Sequence, residues 1–285
     1  MTRVRQLIRF MKELESGYDR TQIPLPSDTV FLKPDNPPIS GRIRPFPIDV
    51  HDEDENYADL VSLPWLWMPT EEPTPSRWYP ARTKGHSRGT ITNPKTRSAI
   101  SYASTYEMNL AYMLCASKHV AKVEDQPEAI IVPRDDGDKQ HTVDFRATMA
   151  GNGYRIVVGV RPSWQLDKDD LRHTIERINS GSLAGFADEA IILTEREITN
   201  DRGWNAKSIL RALKGSVAND NACLANHASK FDGTVSLMTL TSIFDDSAAA
   251  WNAVWCLIHD EILLPSRPDL KLVDAPFVAF NHNAV

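Results

Sequence analysis

Glu107, Asp144 and the run Gly159-Val160-Arg161 are the residues of this chain whose types and spacing could do chemistry. Two carboxylates can hold magnesium or manganese through hard oxygen ligands. A cation held that way clamps a phosphate and lowers the pKa of its water. Successive residues of a strand point to opposite faces, so positions 159 and 161 reach one side of a strand together. The same residues also have plainer uses. Glu107 can cap its own helix. Asp144, flanked by Val143 and Phe145, can be a structural ion-pair partner for Arg161 or Arg146.

The elements that must position these residues are legible in the hydrophobic pattern. Ser104 through Lys118 reads as a helix with Tyr106, Leu110, Met113 and Leu114 on its apolar face. Ser104 is its N-cap, and Glu107 stands three residues on, the spacing of a capping box. Short strands are expected after Val120 and over Glu128–Pro133. Gln140–Thr148 alternates as a strand, Gly151-Asn152-Gly153-Tyr154 is a hairpin turn, and Tyr154–Val160 is a β-branched strand that Pro162 ends. A helix over Lys168–Asn179, a buried strand over Asp188–Thr194 and a polar helix over Asn205–Lys214 follow. Beyond residue 216 the pattern gives helices at Thr234–Ile243 and Ser247–Asp260, then short strands and turns over Leu263–Val278. Trp251 and Trp255 share a helix face there, as core packing or as a docking face.

Composition bounds the rest. The chain has 285 residues, 41% hydrophobic and 25% charged, with net charge −6. Thirteen of its 19 prolines precede residue 95, so residues 16–98 read as an extended arm. Residues 1–15 could form one short amphipathic helix, and Trp65, Trp67, Trp78 and Tyr79 suit docking of parts of the arm. From Pro73 to Tyr106 there is no Asp or Glu, while Arg77, Arg82, Lys84, Arg88, Lys95 and Arg97 all fall there. Arg82, Lys84, Arg88, Lys95 and Arg97 are the candidates for contacts to DNA phosphates; the alternative is a solvated loop. Cys115, Cys223 and Cys256 lack CxxC spacing and are expected as buried thiols in a reducing cytoplasm. No apolar run long enough to span a membrane and no secretory signal are found. The histidines lack zinc-site spacing, which leaves His141 a spectator. No Walker A, G-x-G-x-x-G or G-x-S-x-G occurs.

In order along the chain, several short segments resemble the TnsA-type transposon endonucleases. Ser101-Tyr102 through Glu107 is similar to that family's YES-x-x-E region, Val123-Glu124-Asp125-Gln126-Pro127 to its V-x-x-Q-P stretch, and His141-Thr142-Val143-Asp144-Phe145 to its T-P-D-F motif. Arg155–Pro162 resembles its closing strand, and Leu193-Thr194-Glu195-Arg196-Glu197-Ile198 its L-T-E-x-x-I element. The resemblance covers roughly residues 80–214. It implies an α/β fold: a restriction-endonuclease-like mixed sheet flanked by helices at 99–215, a proline-rich arm at 1–98 and a smaller, mostly helical, winged-helix-like domain at 216–285. It further implies magnesium- or manganese-dependent cleavage at the 5′ ends of a mobile element, with Glu107 and Asp144 on the metal. A DDE-type transposase subunit and an AAA+ regulator are the implied partners. Two positions depart from the family. Arg161 stands where the family has its catalytic Lys, and Gly159 where it has an acidic or amide side chain. Guanidinium is planar and permanently protonated, so it does not replace a water-orienting amine. The resemblance thus leaves two readings open: a nicking subunit, or a catalytically weakened descendant kept for DNA binding or assembly. An unrelated α/β binding protein is the third.

Overall fold

A computed structural model describes residues 87–284 apart from 133, 135, 136, 167–169, 182 and 184. The amphipathic segment 1–15, the arm as far as residue 86, and with it Arg82 and Lys84, lie outside the described residues. Those described belong to one unit, Ala58–Val285. Among them, no helix is long and apolar enough to cross a membrane.

The chain enters through the hairpin β1 (Gly89–Thr92) and β2 (Ala99–Tyr102), which pair antiparallel. Ser104 then starts α1 (Thr105–Ala116): its Oγ accepts the Glu107 N–H at 3.1 Å. Glu107 reaches back to accept the Ala103 N–H at 2.8 Å, one residue before the N-cap N–H that a capping box uses, so the Ser104 half of the expected box forms and the other half is shifted. Leu110, Ala111, Cys115 and Ala116 are the buried apolar side of this helix.

A four-stranded mixed sheet follows, in the order β3-β6-β7-β8. β3 (Val120–Asp125), β6 (Phe145–Met149) and β7 (Arg155–Val160) form an antiparallel meander, and β8 (Glu189–Leu193) lies parallel to β7. The parallel step needs a crossover, and α2 (Leu171–Gly181) provides it. Asn179 binds this helix to the edge strand, donating to the Ala190 carbonyl and accepting the Ala190 N–H, each at 2.8 Å. A separate hairpin, β4 (Ile130–Val132) with β5 (Lys139–His141), hangs off the meander. The single strand expected over 140–148 is therefore two. The chain bends between them because the Asp144 N–H bonds the Val158 carbonyl while Asp144 Oδ2 accepts the Val160 N–H.

Strand alternation sorts the core into two layers. Val158 and Val160 pack with Leu110, Ala111 and Cys115 of α1. Val157 packs with Leu171, Ile175 and Ile178 of α2. The molecule is thus mixed α/β, with helices on both faces of its sheet.

Helix α3 (Asn200–Lys214) packs against α1, and Gly203 stands against the Asn109 side chain. A Cβ there would stand 2.5 Å from Asn109 Oδ1, so only glycine fits without a shift. Thereafter come α4 (Ala218–Ala228), β9 (Thr234–Ser236), α5 (Leu237–Thr241), α6 (Ser247–His259), β10 (Leu263–Pro265) and β11 (Phe277–Phe280). The strands form an antiparallel sheet in the order β10-β11-β9. The helix expected over 234–243 is shorter. Its first three residues are strand, because β9 pairs with β11 and Ser236 caps α5 by accepting the Thr239 N–H. Leu224, Leu237, Leu240, Val254 and Leu263 fill a second core. Ile209 and Leu213 of α3 pack against both this core and the one beneath α1. Cys115 and Cys256 are buried as expected, and burial pushes the Cys115 thiol up to about 12. Cys223 is exposed instead, since α4 buries the neighbouring Leu224 and Ala228.

Candidate functional site

One end of the main sheet collects the polar residues. β3 ends there at Asp125, β6 begins there after Asp144, and β7 and β8 both end there. Polar side chains buried at this end include Ser101, Asp125, Gln126 and Asp144. A network of backbone bonds holds them. Asp125 Oδ2 accepts the Ser101 N–H at 3.0 Å, and the Gln126 N–H donates to the Asp144 carbonyl at 2.9 Å. Gln126 adopts φ 40, a left-handed conformation that a non-glycine residue takes up only where its surroundings hold it.

Asp144 Oδ2 accepts the Val160 N–H at 2.6 Å and lies 3.9 Å from Arg161 Nη1. The guanidinium also donates to the Val160 carbonyl at 2.8 Å. The structure thus brings Asp144 and Arg161 together across the meander. Beyond Arg161, Glu195 accepts the Ser163 N–H at 2.8 Å and the Ser163 hydroxyl at 2.5 Å, and these bonds hold its carboxyl below the usual range.

Glu107, Asp125, Asp144 and Glu195 share a habit: each gives one oxygen to a backbone N–H. Such bonds favour a carboxylate and fix its orientation. Magnesium demands near-octahedral oxygen ligation at about 2.0–2.1 Å. Among the described residues, no three His, Cys, Asp or Glu converge closely enough to hold a metal ion. Position 159 offers no replacement. A Cβ there would meet Leu171 Cδ2 at 3.5 Å and Ile175 Cδ1 at 4.0 Å, the apolar layer of α2. Glu107, by contrast, stands on α1, the helix packed on the opposite face. Of the positions the family pattern assigns to the metal site, 159 thus offers no ligand and 161 offers a cation.

Of the candidates for DNA contact, Arg88, Lys95 and Arg97 are described. Arg88 lies one step beyond the Gly89–Tyr102 pair, and its Nε is buried without a hydrogen-bond partner among the described residues. Lys95 hydrogen-bonds the carbonyls of Ser117 and Val120, the latter at 2.8 Å, and so closes the C-terminal end of α1. That is a structural use of the ammonium. Arg97 closes the β1–β2 turn at φ 54. His141 ends β5, three residues before Asp144.

Asp125 was not singled out by its sequence context, although it lies inside the Val123–Pro127 motif. Its signal is an acidic residue at the end of an alternating strand, directly before Gln-Pro. Burial pushes its carboxyl up, against the lowering effect of the Ser101 N–H. A raised folded pKa means the folded chain holds this proton more tightly than the unfolded chain. Its contribution to stability is present below the unfolded value and is lost as pH rises through the folded one. Asp125→Asn should therefore be more stable than wild type at pH 7, with the difference shrinking toward about pH 4, where an unfolded Asp titrates. Urea midpoints at a series of pH values measure this. A variant less stable at pH 7 than at pH 4, relative to wild type, would show that Asp125 is stabilising as the carboxylate.

In comparison with known proteins, no family model matches the chain and no curated protein matches it.

Proposed function

We propose that this chain is a DNA-binding and assembly subunit of a mobile element, built on a restriction-endonuclease-like core similar to the TnsA-type endonucleases, with strand cleavage weakened or lost. The observation that carries this reading is the meander-centred pair of Asp144 and Arg161, 3.9 Å apart, beside a Gly159 that faces an apolar layer. The order of elements supports the core: a capped helix bearing Glu107, a three-stranded meander, a crossover helix and a parallel edge strand. Three helices and a three-stranded antiparallel sheet after residue 216 support a winged-helix-like second domain. DNA is the ligand on this reading. A DDE-type transposase subunit and an AAA+ regulator are the proposed protein partners, by resemblance alone.

The departures at 159 and 161 favour binding over cleavage. The guanidinium and the Val160 N–H both address Asp144 Oδ2, and Arg161 cannot act as the family's lysine. Supercoiled plasmid incubated with the purified chain in magnesium or manganese should stay supercoiled, at chain concentrations that retard the same DNA on a gel. Robust nicking that Asp144→Asn abolishes would overturn this reading in favour of an active nuclease.

A further inference from the structure

A cleft of about 180 Å³ opens between β1, which lies inside the basic stretch read in the sequence, α1 and α3. Thr90 and Thr92 line it from β1, Tyr112 from α1, and Lys207, Arg211 and Lys214 from α3. Two independent periodicities meet there. Residues 90 and 92 are at i and i+2 on a strand and share a face. Residues 207, 211 and 214 are at i, i+4 and i+7 on a helix and form one stripe about 10 Å long.

Among the described residues, no Asp or Glu lines this cleft, in a chain whose net charge is −6. Lys207 and Arg211 have no carboxylate partner among the described residues; the Lys207 ammonium lies instead over the Tyr112 ring, 5.6 Å from its centroid. Arg211 and Lys214 complement the negative end of the α3 dipole, which alone would account for cations in the last turn. It does not account for Lys207 in mid-helix, nor for two threonine hydroxyls facing the same space. Pockets for whole small molecules run to about 300 Å³ and above. A smaller cleft, lined among the described residues by three cations and two threonines and by no carboxylate, suits a phosphate and the sugar beside it.

We propose that this cleft binds the phosphodiester backbone of duplex DNA, a site that rests on the DNA-binding reading above and locates it on α3 and β1. Helix and strand would grip one stretch of backbone, with the cations neutralising phosphates and the threonines donating to their oxygens. Such contacts position DNA without reading its sequence.

The test is fluorescence anisotropy of the full chain with a labelled duplex of arbitrary sequence, over a range of salt. Lys207→Ala with Arg211→Ala should weaken binding at least tenfold and reduce the slope of log affinity against log salt by about 2, since each neutralised phosphate contributes about 0.9. The control, Arg172→Ala with Lys230→Ala, removes the same charge from other surfaces and should change neither. Circular dichroism and thermal melts establish that both variants fold. Equal losses in both variants would reduce the effect to net charge and overturn the cleft. Wild-type binding unchanged in the cleft variant would also overturn it, while leaving the DNA-binding reading intact. A cleft-dependent affinity for single-stranded RNA that exceeds the one for duplex DNA would overturn the ligand. No binding of duplex DNA at low salt would sink the DNA-binding reading itself.

Discussion

Gly159→Glu should cost this protein about 3–5 kcal/mol of stability, the scale of a charge left buried without a partner. Restoring an acidic residue two positions before 161 is what the family pattern would suggest for regaining a metal site. The structure argues the opposite outcome. The side chain at 159 would enter the layer of Leu171 and Ile175, apolar surroundings that disfavour a carboxylate. Such a loss is a large share of the total for an ordinary domain, so the variant should be largely unfolded at 37 °C. Gly159→Ala is the companion measurement. Its methyl would meet Leu171 at 3.5 Å, an ordinary contact, and strand glycines are costly, so stability should hold or rise slightly. Urea denaturation followed by circular dichroism reads both. A Gly159→Glu chain of near wild-type stability, stabilised further by magnesium, would mean that position 159 does reach a metal.

The second large effect is expected at Trp255. This residue is 8% exposed, packs in the second core, and meets Trp204 of α3 edge-on with ring centroids 5.9 Å apart. Trp255→Ala should cost about 3–5 kcal/mol through lost burial and the cavity left behind. Trp204 is 37% exposed, so Trp204→Ala should cost clearly less. A double-mutant cycle should give a coupling of about 0.5–1.5 kcal/mol for the aromatic pair. Because Ile209 and Leu213 serve both cores, the Trp255→Ala transition should remain single and move together for probes in either half. Two separated transitions would show that the cores are energetically independent.

Particular residues show how far the sequence could be read. The Ser104–Glu107 cap and the strand over 155–160 were legible because each depends on neighbours in the chain. So was the pairing of Trp251 with Trp255 on one helix face; their rings lie 6.5 Å apart. The break at Val143-Asp144 was not legible. Gln140–Thr148 alternates throughout, and only the bonds from Asp144 to the next strand make it turn. Alternation correctly put residues 159 and 161 in phase, yet it carried no information on which helix would cover that face. Counting charges along the chain found the run from Arg77 to Arg97. It could not foresee that Lys95 would close a helix end, nor that Thr90 and Thr92 would meet Lys207 and Arg211 more than a hundred positions later. In the second core the helix Ala218–Ala228 was not foreseen, and TVSLMTLTSI fits a strand start as well as a helix until β11 comes alongside it.

The double role of Ile209 and Leu213 has an evolutionary consequence. A domain that ends in a loop can be moved between proteins as a cassette, because the cut exposes little apolar surface. Here a cut after Lys214 would strip the C-terminal core of Ala212 and of one wall, and a cut before Asn200 would strip the sheet of the helix packed against α1. Neither half can be inherited cleanly without the other. Recombination that swapped the last seventy or so residues for those of a different lineage would have to carry α3 along, and with it the cations at 207, 211 and 214.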